Sequence, residues 1–179
     1  MNKNSTKCDV LLAASSYIVG VDAWMQTSAE LCELGGFEAQ PEGYRFQIRK
    51  RWASVLRPYS GQQWYGWVPG GKLCCRFVPE IARGLFENDL AQWRSDQKND
   101  NAALPAGDAA VKTLFEPRGR ITLPDALGLA IGAKKGQLIF MHPRRGFLEV
   151  WLPENFTAHC ARLAQNLSSG GTAMSPAIP

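Results

Sequence analysis

Catalytic machinery is what this chain most conspicuously lacks. It has two histidines, His142 and His159, in different segments. It carries no G-x-S-x-G elbow, no phosphate loop and no run of residues with metal-ligand spacing. His159 adjoins Cys160, but neighbours on a helix point about 100° apart, which makes a poor dyad. These absences leave no residue to assign to catalysis, and the chain reads as a non-enzyme with no cofactor and no metal. The five cysteines, Cys8, Cys32, Cys74, Cys75 and Cys160, form no C-x-x-C pair. Cys74 and Cys75 are adjacent and would point to opposite faces of a strand, so they chelate one ion poorly. They read as small hydrophobes in a reduced, cytoplasmic protein.

Long apolar runs are also missing. The longest candidate, Val10 to Val21, follows Lys3 and Lys7 and loosely imitates a signal peptide. Ser15, Ser16 and Gly20 dilute it, and it is shorter than the roughly 20 residues that span a bilayer. Residues 1–42 are expected to form a buried or poorly ordered N-terminal extension, with Met25 as a second possible start. No membrane partner is expected.

Acid is absent from one long stretch. Between Gly43 and Pro79 there is no Asp or Glu, yet the stretch holds Arg45, Arg49, Lys50, Arg51, Arg57, Lys72 and Arg76. The net charge of the whole chain is only +4, so it is the distribution of charge that points to a polyanion. Such a run is otherwise a solvated face with scattered ion pairs.

What is present is a repeat. Arg45-Phe46-Gln47-Ile48 lies over Arg120-Ile121-Thr122-Leu123, and Gly61-Gln62 over Gly136-Gln137, both at an offset of 75 residues. Pro69-Gly70-Gly71 lies near Pro143-Arg144-Arg145-Gly146. Phe77-Val78-Pro79-Glu80 lies over Trp151-Leu152-Pro153-Glu154, where the offset is 74. Four matches in register at turns and element ends define two copies, residues 43–94 and 112–167. A polar connector over 95–111 and a disordered tail over 168–179 complete the organisation.

Each copy predicts a strand, a short helix, a hairpin and a closing helix. Pro124 suits the first position of the second copy's short helix, Leu127 and Ile131 share its apolar face, and Gly132 ends it. Trp52, Val55 and Leu56 do the same work in the first copy, and Pro58 stops the helix. The hairpin strands are Gln62 to Val68 with Lys72 to Val78, and Gln137 to His142 with Phe147 to Leu152. Pro-Glu opens each closing helix, with apolar stripes Ile81, Leu85, Leu90, Trp93 and Phe156, Cys160, Leu163, Leu167. Since one copy alone buries little surface, the two are expected to pack about a pseudo-twofold axis as one domain.

Arg49-Lys50-Arg51 cluster just after a strand, and Arg118 and Arg120 flank Gly119 at the equivalent place in the second copy. Strand alternation puts Arg118 and Arg120 on one side, away from Ile121 and Leu123. Bases so displayed neutralise phosphates, and an arginine grips a guanine edge by two bonds. Arg144-Arg145 reads as a hairpin tip that either touches phosphate or aids solubility, and Lys134-Lys135 as a plain turn. Glu149 and Glu154 read as ion-pair or capping groups. Trp64 faces opposite to Tyr65 and Trp67; these aromatics read as core and subunit interface, the other reading being a stacking platform for unpaired bases.

The stretch Phe115-Glu116-Pro117-Arg118-Gly119-Arg120-Ile121-Thr122-Leu123-Pro124, with Gly132-Ala133-Lys134-Lys135-Gly136 and Leu148-Glu149-Val150-Trp151-Leu152-Pro153-Glu154 after it, resembles the AbrB/MazE/SpoVT superfamily, and within it the MraZ family. Glu116 and Arg118 stand where that signature has Asp and Lys. The first copy reads Glu42-Gly43-Tyr44-Arg45, with one extra residue before the arginine and Arg49 in place of the proline. The resemblance implies a mainly β fold with short helices (α+β), a double-split β-barrel of two pseudo-symmetric swapped-hairpin repeats. It also implies a nucleoid-associated transcription regulator that binds double-stranded DNA as a homo-oligomer, a ring in that family. Arg45, Arg49, Lys50, Arg51, Arg118 and Arg120 are the candidate DNA-binding residues. Two other readings remain: an AbrB-type antitoxin that binds operator DNA and a toxin partner, and a structural oligomer that has lost DNA binding.

Overall fold

The computed structural model describes residues 5–69, 73–97 and 110–169. Gly70, Gly71 and Lys72, the connector from 98 to 109 and the tail from 170 lie outside them, as do the side chains of Leu90 and Trp93. The chain is a sheet-rich α+β fold. Eight strands, all paired antiparallel, run in the order β1-β7-β8-β4-β3-β5-β6-β2 and form a nearly closed barrel.

The same order of elements occurs twice. The first half gives β1 (Phe37–Ala39), β2 (Arg45–Gln47), α2 (Lys50–Val55), β3 (Gln63–Trp67), β4 (Cys74–Pro79) and α3 (Arg83–Gln97). The second gives β5 (Val111–Glu116), β6 (Arg120–Thr122), α4 (Asp125–Ala130), β7 (Ile139–Arg144), β8 (Phe147–Trp151) and α5 (Pro153–Ser169). The pairing survives exchange of the halves. β1 pairs with β7 as β5 pairs with β3, so each half lends its first strand to the other's hairpin. Arg45 faces Thr122 as Gln47 faces Arg120, and Cys75 faces Val150 as Arg76 faces Glu149.

Alternation sorts each strand into an inner and an outer face, and β4 is buried on both. Cys75 and Phe77 on β4 meet Leu148 and Val150 on β8 in the barrel core, where the Cys75 thiol donates to the Leu127 carbonyl at 3.6 Å. Burial, and then the neighbouring Cys74, push the Cys75 thiol well above its usual pKa, which holds it as an inert core group. Trp64, Tyr65 and Trp67 are all buried. Trp67 packs on Phe86 of α3 at 4.9 Å between ring centroids and donates its indole N–H to Asp89. No base-stacking platform is available there.

Of the two expected forms of the N-terminal extension, the buried one is seen among the described residues: α1 (Ser5–Leu34) precedes β1, and its face Gly20, Trp24, Ser28 and Leu31 is buried. Trp24 packs edge-on to Tyr59 and Trp64 at 5.1 and 5.3 Å. Its indole N–H donates to the Gly146 carbonyl at 2.7 Å, and Ser28 Oγ accepts from the Gly146 N–H at 2.8 Å. The helix thus clamps the β7–β8 turn, where Gly146 adopts φ +87°. Among the described residues, no helix is long and apolar enough to cross a membrane.

Pro143 and Arg144 belong to β7 rather than to the hairpin tip, and Pro124 precedes α4 rather than opening it. The connector expected from 95 begins later, since α3 runs to Gln97. Likewise α5 takes up Ser168 and Ser169 from the expected tail. The first closing helix buries Ala82 and Phe86 and leaves Ile81 exposed, because a 3₁₀ turn over Glu80–Ala82 shifts the helical phase. On α5, Cys160, Leu163 and Leu167 are exposed rather than buried.

Candidate nucleic-acid interface

The candidate bases gather around the short β2–β6 ladder. Phe46 and Ile121 point inward and are buried; Arg45, Gln47, Arg120 and Thr122 alternate outward. Arg45 lies 3.3 Å from Glu116, and Arg120 Nε donates to Gln47 Oε1 at 3.3 Å. A shallow depression here is lined by Gln40, Glu42, Arg45, Gln47 and Arg120.

The β5–β6 turn is held against this ladder. Gln47 Nε2 donates to the carbonyls of Gly119 at 2.8 Å and Arg118 at 3.0 Å, and the Ile48 N–H donates to Gly119 at 2.9 Å. Gly119 sits at φ +73°, and a Cβ there would stand 3.1 Å from Gln47 Nε2 and 3.5 Å from the Ala53 methyl. The left-handed backbone conformation therefore favours glycine there, and a Cβ would also crowd the Gln47 amide.

This geometry corrects one expectation. Arg118 and Arg120 do not share a strand face, because the left-handed Gly119 breaks the alternation between them. Arg118 turns toward α2, where a cleft of about 280 Å³ is lined by Lys50, Ser54, Arg57, Ser60, Phe115, Pro117, Arg118 and Gly119. A second groove, of about 270 Å³, runs past Gly35, Gly36, Phe37, Arg49, Lys50, Arg51 and Trp52. Lys50 borders both. The Arg49 guanidinium stacks 5.0 Å over the Phe37 ring, which fixes it at the groove wall.

Arg49, Lys50, Arg51, Arg57 and Arg118 are all exposed, and among the described residues no carboxylate lies within ion-pair distance of them. Arg57 is absent from the candidate set although it lines the same cleft as Arg118. Its spacing from Lys50 and Ser54, at i, i+4 and i+7, is the signal that places it on their face.

Arg76 leaves the basic surface. It is 4% exposed, with its Nε 3.0 Å from Glu149 Oε1 and Nη1 on Asp89. Glu149 also accepts from the Trp151 indole at 3.1 Å and lies 3.7 Å from Arg144, so Arg144 is tied in part to this buried pair. His142, half-buried beside Phe140 and Phe156, has its pKa lowered by burial and, more weakly, by Arg144 and His159, with Glu149 opposing.

The chain matches no protein-family model and no curated protein sequence.

Proposed function

We infer that the protein is a sequence-specific DNA-binding regulator of the MraZ kind, built on swapped-hairpin AbrB-like repeats. The reciprocal loan of β1 and β5 between the halves supports the repeat architecture. The observation that carries the function is the set of five exposed bases, without carboxylate partners among the described residues, that gather at α2 and the β5–β6 turn from opposite halves of the chain.

The sequence of α2 adds weight. Its first turn carries Lys50 and Arg51 and no acid, whereas α4 opens with Asp125. Unsatisfied N–H groups already make that end positive, so each base there costs a few tenths of a kcal/mol. Local stability given up at one place is the mark of a binding residue.

In this reading Arg49, Lys50, Arg51, Arg57 and Arg118 take backbone phosphates. The β2–β6 ribbon, whose outward side chains are Arg45, Gln47, Arg120 and Thr122, addresses base edges. A two-stranded ribbon fits the major groove, where arginine pairs with guanine. The test is an anisotropy titration against double-stranded DNA from upstream of the protein's own gene, with random duplex as competitor. Binding that prefers the upstream DNA, and that Arg118→Ala with Arg120→Ala weakens at unchanged fold, is expected. No binding at low salt refutes the reading.

A further inference from the structure

Two arginines on the β2–β6 ribbon are held in the same way. Arg45 Nε lies 3.3 Å from Glu116 Oε1, and Arg120 Nε donates to Gln47 Oε1 at 3.3 Å. Each guanidinium is tethered at Nε, and among the described residues its Nη groups have no bonded acceptor. Both side chains line the shallow depression on the outer face of the ribbon. The repeat does not account for these tethers. Arg45 and Arg120 are counterparts at an offset of 75 residues, but the residues that hold them are not. Gln47 corresponds to Thr122, whose hydroxyl makes no bond to Arg45 among the described residues. Glu116 corresponds to Gln40, once Tyr44 is allowed for as an insertion, and Gln40 donates instead to the Gly136 carbonyl. Two unrelated residues thus do the same thing to two equivalent arginines. Gln47 does more: its Nε2 donates to the carbonyls of Arg118 and Gly119 at 3.0 and 2.8 Å, so its amide hydrogens are taken up by the turn.

Folding stability does not account for the tethers either. The Arg45 side chain is 52% exposed, and an exposed ion pair adds little to stability. What a tether adds is order, since an arginine already fixed at Nε loses less rotamer freedom on meeting a planar partner. The surroundings select that partner. Glu116 and Glu42 border these arginines, and carboxylates repel a phosphate but not a neutral base edge. A guanidinium whose Nη donors are unoccupied matches the O6 and N7 acceptors of guanine. We propose that Gln47 and Glu116 are positioning residues for base recognition, which hold Arg120 and Arg45 with their Nη groups set for one guanine each. This rests on the DNA-binding reading and assigns which ribbon side chains read and which only hold. Arg45 faces Thr122 while Gln47 faces Arg120, so the two arginines are diagonal neighbours across the ladder. Diagonal positions lie about 7–8 Å apart, or about two base steps at roughly 3.4 Å each. The two guanines are accordingly about two steps apart.

The test selects duplexes from a random-sequence library with the full chain and sequences the bound fraction. Two G·C pairs about two steps apart are expected. Gln47→Leu should cut the preference for guanine at one of them by about threefold or more, and Glu116→Leu at the other. Glu116→Gln keeps an acceptor for Arg45 and drops the charge, so it should retain the preference. Equal loss in Glu116→Gln and Glu116→Leu would make the role of Glu116 electrostatic and overturn its assignment as a positioning residue. A second readout needs no DNA. In side-chain nitrogen relaxation of the free chain, the Nε–H groups of Arg45 and Arg120 should be more ordered than that of the exposed Arg51. Gln47→Leu should loosen Arg120 alone, and Glu116→Leu should loosen Arg45 alone. Base preference unchanged in both leucine variants overturns the proposal, as does a wild-type Arg120 Nε–H as mobile as that of Arg51. A chain that binds no duplex at low salt overturns the DNA-binding reading itself, and the proposal with it. The free-chain relaxation tells the two failures apart, because ordered Nε–H groups in that chain would leave the tethers standing with no base to read.

Discussion

Phosphate binding by the five free bases predicts a definite salt dependence. Each base that neutralises one phosphate releases about 0.9 counterion from duplex DNA. Arg49, Lys50, Arg51, Arg57 and Arg118 together then give log K against log salt a slope of about −4.5. Affinity should fall by roughly 500-fold between 50 and 200 mM monovalent salt. Arg118→Ala should flatten the slope by about one unit and lower affinity alike on specific and random duplexes, because a phosphate contact carries no sequence information. Arg120→Ala should instead change which base is preferred, by about 1–3 kcal/mol at the affected position. The assay is fluorescence anisotropy on labelled duplexes at four salt concentrations. A slope shallower than −1, or one that Arg118→Ala leaves untouched, refutes the assignment of these bases to phosphates.

Three further outcomes follow from the packing. Arg76→Met takes the nearest cation from the Glu149 carboxylate, which is 1% exposed and keeps the Trp151 indole and the more distant Arg144, and should cost about 3–5 kcal/mol in urea unfolding; adding Glu149→Leu should recover part of the loss, and strict additivity would show the pair to be solvated. Trp24→Ala opens a cavity under α1 and removes a donor from Gly146, so it should cost about 3–5 kcal/mol; a loss under 1 kcal/mol would show that α1 does not clamp the barrel. Burial lowers the pKa of His142, so the unfolded chain takes up its proton first as pH falls. The stability it contributes is present above the ordinary value of 6.5 and declines below it. Urea midpoints at pH 7.5 and 5.5 should therefore differ, less so in His142→Gln, and an equal pH dependence in that variant would assign the effect to other groups.

The hairpin strands and the short helices were legible because they rest on local signals. Gly61 and Gly136 hold φ +76° and +73° at matching places, as do Gly43 and Gly119 at +66° and +73°. Tyr44 is the extra residue between glycine and arginine. What stayed hidden depends on distant partners. Alternation puts Arg76 on the outer face of β4, but only the β4–β8 register and the cover of α3 turn that face into a buried ion pair. The face Gly20, Trp24, Ser28 and Leu31 was obscured by the apolar run before it. Strand β1 is three residues long and has meaning only beside β7. The basic site was legible in composition but not in grouping, since the cleft draws Lys50 and Arg57 from one half and Arg118 from the other.

That grouping has a consequence for stoichiometry. The scaffold offers two equivalent seats, each made by a short helix and the turn borrowed from the opposite half. In the first, the Ile48 N–H donates to Gly119; in the second, the Leu123 N–H donates to Tyr44, both at 2.9 Å. The first is the more basic, whereas Lys135 stands 5.8 Å over the Tyr44 ring at the second. Arg49, Lys50, Arg51 and Arg57 correspond, at an offset of 75 residues, to Pro124, Asp125, Ala126 and Gly132, and the turn that faces α4 brings Glu42. Tyr44 fills the second seat, so close that a Cβ on Gly128 would stand 3.1 Å from its ring. One chain thus presents one strongly basic seat on a nearly symmetric barrel. On the DNA-binding reading, a duplex with two half-sites takes up two chains rather than one, and titration of such a duplex should saturate at two chains. Saturation at one chain would mean that a single chain reads both halves, and that the second seat binds DNA with far fewer bases than the first.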